Sequence, residues 1–185
     1  MKKILVALLA TASVAAFADS DVNPFYVTAA VGVAQSASFN TGAGNGQQMQ
    51  FNNDSQYTLG ANIGYNFNKN FAIEAGYTNF MQGANEQFEQ LGVTDLAVRG
   101  TLPLNDTFSL FGRLGLAGYD TYTNYDSNGH AYAAYNDGIS VDNIGALYGV
   151  GGEFNLNKSW ALTAELWGVT GVSATNVQLG GKFSF

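Results

Sequence analysis

The feature that most constrains this chain is a period-two alternation, repeated along most of its length, in which every charge keeps to one parity. Apolar residues recur at alternate positions over residues 25–33, 57–67, 71–77, 96–102, 108–116, 144–156, 160–166 and 178–185. This period lays them along one face of a β-strand, because successive side chains point to opposite sides. Glu74, Asp95, Arg99, Arg113, Glu153, Glu165 and Lys182 all fall on the other face, among polar and small residues. The apolar faces form belts of Leu, Val, Ile and aromatic side chains too extensive to be left in water.

Connections between these segments come in two kinds. Asn68-Lys69-Asn70, Asn105-Asp106 and Asn157-Lys158 are compact turns, whereas residues 35–56, 81–91, 119–141 and 171–174 are longer loops. Seven connections give eight strands with both chain ends on one side. The hairpin around Asn68 resembles the one around Asn157, turn and flanking strands together, so hairpins are repeated.

A charge on a lipid-facing surface near the bilayer centre costs about 2–4 kcal/mol for Arg or Lys. A membrane barrel must therefore turn the charged parity inward, whereas a soluble ligand carrier would keep its charges outside. The expected fold is all-β, an eight-stranded antiparallel up-and-down transmembrane β-barrel. Its closing strand, residues 178–185, should pair with residues 25–33 and abolish the free edges.

The lumen of eight strands is just wide enough for side chains, and buried charges must be paired. An interior network of ion pairs is expected, with Glu74 near Arg99, Arg99 beside Arg113, and Lys182 directed at Glu165. Near the short turns gather Phe25, Tyr65, Phe67, Phe71, Phe108, Phe154, Trp160, Phe183 and Phe185, the place for an interfacial aromatic girdle. Trp167 falls on the inward parity, an exception that a bulge near Gly168 would account for.

Met1-Lys2-Lys3, an apolar run from Ile4 to Ala10 and Ala16-Phe17-Ala18 carry the basic, apolar and small-residue parts of a secretory signal peptide. Cleavage after Ala18 would leave residues 19–185 as one domain with five basic residues against 14 acidic, a formal charge of −9. That balance excludes nucleic acid as a natural partner. There is no cysteine, hence no disulfide and no lipidated N-terminus.

The ending Gln178-Leu179-Gly180-Gly181-Lys182-Phe183-Ser184-Phe185 resembles the insertion signal of bacterial outer-membrane barrels, matched by Gln178, Gly180, Phe183 and Phe185. With the leader, the eight alternating segments and the Asn-containing turns, the whole mature chain resembles the small barrels of the OmpA, OmpX and opacity-protein kind. The resemblance implies a monomer in the outer membrane of a Gram-negative bacterium, in contact with its lipid and lipopolysaccharide and delivered by the outer-membrane assembly machinery through the last strand. It implies a role in envelope integrity, or in adhesion and host interaction through surface loops. A narrow porin-like channel for small solutes or ions is the alternative, and a lipid-modifying enzyme a further one.

Motifs for chemistry are sparse. His130 is the single histidine, so an ordinary His/Cys zinc site cannot be assembled. Lipid A deacylase barrels pair a Ser and a His, for which Ser127 and His130 would be the candidates. Asn124 to Gly129 begins like a calcium loop, but Tyr135 stands where the closing Glu is needed. No catalytic residue, metal site or cofactor is expected. The loops carry Asp54, Glu86, Glu89, Asp126 and Asp137 without Lys or Arg, which would allow weak divalent-cation association. Tyr122, Tyr125, Tyr132 and Tyr135 suit adaptable binding loops.

Overall fold

The computed structural model describes residues 22–35, 38–40, 48–50, 56–81, 90–121, 144–170 and 172–185. Eight long strands form the wall: β1 (Phe25–Gln35), β4 (Gln56–Asn66), β5 (Phe71–Met81), β6 (Gln90–Pro103), β7 (Phe108–Thr121), β8 (Ile144–Asn155), β9 (Trp160–Val169) and β10 (Val172–Ser184). Each pairs antiparallel with its sequence neighbour, and β1 pairs with β10 from Tyr26↔Ser184 to Gln35↔Thr175, closing an up-and-down barrel. Closure leaves none of the eight strands as a free sheet edge, as a strand protein in lipid requires.

Two three-residue strands, β2 (Ser38–Asn40) and β3 (Gln48–Gln50), pair with each other, and β2 reaches β10 at Phe39↔Val172. They lie inside the stretch expected to be loop, because alternation over three residues is too short to signal a strand. Three boundaries also differ. β6 begins at Gln90 and β7 runs to Thr121, and β10 starts at Val172 rather than after Ala174. Backbone pairing carries these strands past the apolar belt that marked them in the sequence.

The faces sort as the parity dictates. Leu114 is 70% exposed on the outside while Arg113 beside it is 3% exposed in the lumen. The three short turns share one chemistry. Asn68 Oδ1 accepts hydrogen bonds from the backbone of Asn70 and Phe71 at 2.8 and 3.0 Å, Asn105 Oδ1 from Thr107 and Phe108 at 2.9 and 2.8 Å, and Asn157 Oδ1 from Ser159 and Trp160 at 2.9 Å each. Each is an Asx-turn that ends on an aromatic and hands the chain to the next strand.

At this end the seam between β1 and β10 is tied by Phe25 and Phe185, whose backbones exchange hydrogen bonds of 3.2 and 2.8 Å. Asn23 Nδ2 donates to the Lys158 and Ser184 carbonyls, linking the seam to the last turn. Rings of the expected girdle follow one another around it: Phe67–Tyr65 at 5.6 Å, Tyr65–Phe25 at 5.1 Å, Phe25–Phe185 at 6.2 Å, Phe185–Phe183 at 5.9 Å and Phe183–Trp160 at 4.7 Å.

Candidate functional site

Among the described residues the lumen is where charged side chains leave water, and the register decides which of them meet. Arg99 and Arg113 stand directly opposite each other on β6 and β7. Two guanidinium groups at that separation would repel, and Glu74 lies between them, with Oε1 at 3.3 Å from Arg99 Nη1 and Oε2 at 2.6 Å from Arg113 Nε. The second contact is an ion pair rather than a hydrogen bond, since neither Arg113 Nε nor Glu74 Oε2 has an aligned partner. Arg113 also reaches Asp95 at 2.7 Å and Glu165 at 3.2 Å, and Arg99 reaches Glu153 at 2.5 Å. All six of these side chains are buried.

Lys182 binds Glu153 at 3.1 Å, not Glu165 as neighbouring strands suggested. The pairing between β9 and β10 sets Gln178 opposite Glu165 and Lys182 opposite Ala161. Four residues along a strand is about 13 Å, so Lys182 crosses over β9 to β8. Glu165 is served instead by Arg113 and by Gln178 Nε2 at 2.9 Å.

Aromatic rings complete the network, and parity arguments based on charge alone did not find them. Tyr26, fully buried, donates its hydroxyl to Glu74 at 2.5 Å, and its ring lies 4.5 Å beneath Lys182 Nζ. Arg99 stacks 3.7 Å from the centre of Phe111. Across the strand pairs Tyr26 faces Gly64, Phe111 faces Gly151 and Trp167 faces Gly149. An inward aromatic paired with an inward glycine is the signal that marks these positions, because a ring fits this narrow lumen by lying over a neighbouring strand that lacks a side chain there.

Toward the loop end the lumen is largely apolar, with buried Thr58 hydrogen-bonded to Asn176 at 3.1 Å. Ala34, Phe80, Val93, Ala97, Ala117, Leu147, Trp167 and Val169 form one buried cluster, with Phe80 and Trp167 edge to face at 6.0 Å. Trp167 therefore keeps the inward parity and needs no bulge of its own. The strand irregularity lies on β10 between Val172 and Thr175, across from Gly168 and Val169.

Of the four residues matching the insertion signal, Gln178 is buried against Glu165, Gly180 stands where an added Cβ would come within 2.8 Å of the Ala29 carbonyl, and Phe183 and Phe185 join the girdle. Among the described residues no group of three or more His, Cys, Asp or Glu side chains is arranged to hold a metal ion. His130, Ser127, the calcium-like stretch from Asn124, the loop acids Asp54, Glu86, Glu89, Asp126 and Asp137, the four loop tyrosines and the leader lie outside the described residues.

Comparison with known proteins gives the same architecture. The Neisserial surface protein A is 14% identical with a TM-score of 0.64, over 87% of this chain and 97% of that one. The N-terminal β-barrel domain of Pseudomonas aeruginosa OprF is 17% identical with a TM-score of 0.59, over 89% and 98%. Ail, the attachment invasion locus protein of Yersinia pestis, solved with the heparin analogue sucrose octasulfate, is 17% identical with a TM-score of 0.54, over 88% and 99%. No curated protein matches by sequence. At such identities the likeness establishes the fold, and residues 4–185 match the outer membrane protein beta-barrel domain, the family to which this chain belongs.

Proposed function

We propose that the protein is a closed, non-conducting outer-membrane scaffold that presents its long connections at the cell surface for adhesion or host interaction. The observation carrying this reading is the double filling of the lumen, by a charged layer built around Arg99 and Arg113 and by the apolar cluster around Phe80 and Trp167. An ion on this path would have to displace buried ion pairs and then pass the rings of Phe80 and Trp167, where the polar side chains Thr58 and Asn176 are buried and bonded to each other. That argues against the porin-like alternative.

Loop charge narrows the ligand. Residues 36–55, 82–89 and 122–143 contain no Lys or Arg, so a polysulfated ligand like the heparin analogue held by Ail would be repelled. The surface partner of this chain is neutral or cationic. Residues 1–18 are removed as a leader, the last strand addresses the assembly machinery through Gln178, Gly180, Phe183 and Phe185, and the barrel works as a monomer. Planar-bilayer recording combined with cell binding by a variant lacking residues 36–55 tests the reading. No discrete conductance together with lost binding is expected, and regular single-channel steps would overturn it.

A further inference from the structure

The belt that meets lipid is not uniform. A groove of about 720 Å³ crosses the outside of the wall from Phe71 on β5 to Thr175 on β10. Its course follows the pairing register. One row runs Phe71, Gly100, Gly112, Val150, Leu166 from strand to strand, and the next row passes through Val98 and Leu114. The floor lies where Gly100 and Gly112 oppose each other. A Cβ placed on Gly100 would meet nothing within 4 Å, and one on Gly112 only the Gly149 carbonyl at 3.7 Å. Arg113, Gly149 and Trp167 also line it, but the Arg113 and Trp167 side chains point into the lumen and Gly149 has none, so all three contribute backbone to the floor.

We infer that this groove seats one acyl chain of a phospholipid from the periplasmic leaflet. The groove is continuous with the lipid-facing belt, and acyl chains are what the surroundings offer at this depth. Leaving it empty would forfeit dispersion contacts along its whole lining. Five inter-strand steps of about 4.8 Å make it roughly 24 Å long, the scale of a single extended chain. With strands tilted about 35–45°, it climbs obliquely through the membrane. Its lower end fixes the leaflet: outer-membrane barrels carry their short turns on the periplasmic side, and Phe71 follows directly on the first of them, where exposed Lys69 supplies a cation for the phosphodiester. This goes beyond the scaffold reading and does not depend on it.

The test is native mass spectrometry of the intact protein released from a mild detergent after equilibration with phosphatidylglycerol. The wild-type barrel should retain one phospholipid. Gly100→Leu with Gly112→Leu fills the groove and should reduce occupancy about fivefold, and Lys69→Gln should reduce it about twofold at low salt and not at high salt. Gly181→Leu is the control: Gly181 is also lipid-facing with open space around its Cβ position, but on β10 away from the groove, and retention should be unchanged. Folding of each variant is read from heat-modifiable gel mobility; if the double leucine variant fails to fold, Gly112→Leu alone serves. Equal retention by the filled and wild-type barrels overturns the inference, as does equal loss in Gly181→Leu, which would mean a nonspecific lipid shell. Displacement by lipid A at equal concentration would overturn the assignment to the periplasmic leaflet.

Discussion

Replacing Arg113 with Ala is the sharpest test of how the lumen is held. Arg113 is 3% exposed and touches three carboxylates, Glu74 at 2.6 Å, Asp95 at 2.7 Å and Glu165 at 3.2 Å. Among the described interior charges the excess of one negative would become two, with Asp95 losing its ion-pair partner. Removing one member of a buried pair costs about 3–5 kcal/mol, and three orphaned contacts put this substitution near the upper end. Equilibrium unfolding in urea, followed by tryptophan fluorescence in micelles, reads the loss as a lower midpoint. Two further variants separate charge from geometry. Arg113→Lys restores the charge but not the planar fork, so it should recover only part of the loss. Asp95→Asn combined with Arg113→Ala should cost less than the sum of the two, by about 0.5–3 kcal/mol. A midpoint for Arg113→Ala shifted by less than about 1 kcal/mol would refute the claim that these contacts hold the barrel together.

Other substitutions probe separate links in the argument. Leu114→Arg places a charge in the middle of β7 on the lipid face and should destabilise the barrel by about 2–4 kcal/mol in vesicles; an unaffected unfolding midpoint would reverse the assignment of inside and outside. Lys182→Met removes the contact with Glu153, which keeps Arg99, so a loss of about 1.5–3 kcal/mol is expected, smaller than for Arg113→Ala in the same assay. Asn105→Ala deletes one acceptor serving two exposed turn amides and should cost about 1 kcal/mol, with slower folding into vesicles as a second readout.

How much of this was legible beforehand follows from which physical terms act locally. The two faces of the long strands could be read from their apolar alternation, and which face turns inward from the penalty for a charge in lipid, which applies residue by residue, as at Glu74, Arg99 and Glu153. Turns at Asn68, Asn105 and Asn157 were legible for the same reason, since an Asx side chain bonds its own neighbours. Register was not. Whether Lys182 meets Glu165 or Glu153 depends on a stagger accumulated across β8, β9 and β10, and nothing within β10 records it. Nor could charge parity find Tyr26 or Phe111, whose place in the network rests on glycines in other strands.

Those glycines make a final point about β8, where Gly151 and Gly152 are consecutive yet face opposite environments. A Cβ on Gly151 would strike the Phe111 ring and the Ala164 carbonyl at 2.4 Å, whereas one on Gly152 would come no closer than 3.3 Å to the rim of Phe108 on the lipid side. Intrinsic strand preference treats the two positions alike, so the difference between Gly151→Ala and Gly152→Ala isolates lumen packing. The inward substitution should push Phe111 off Arg99, which it contacts at 3.7 Å, and cost about 1–3 kcal/mol. Its outward neighbour should be neutral or stabilising by about 0.4–1 kcal/mol, through reduced freedom of the unfolded chain. Equal effects of the two on the unfolding midpoint would mean that the lumen tolerates an added methyl group, and that the fit between inward rings and inward glycines does not specify this barrel.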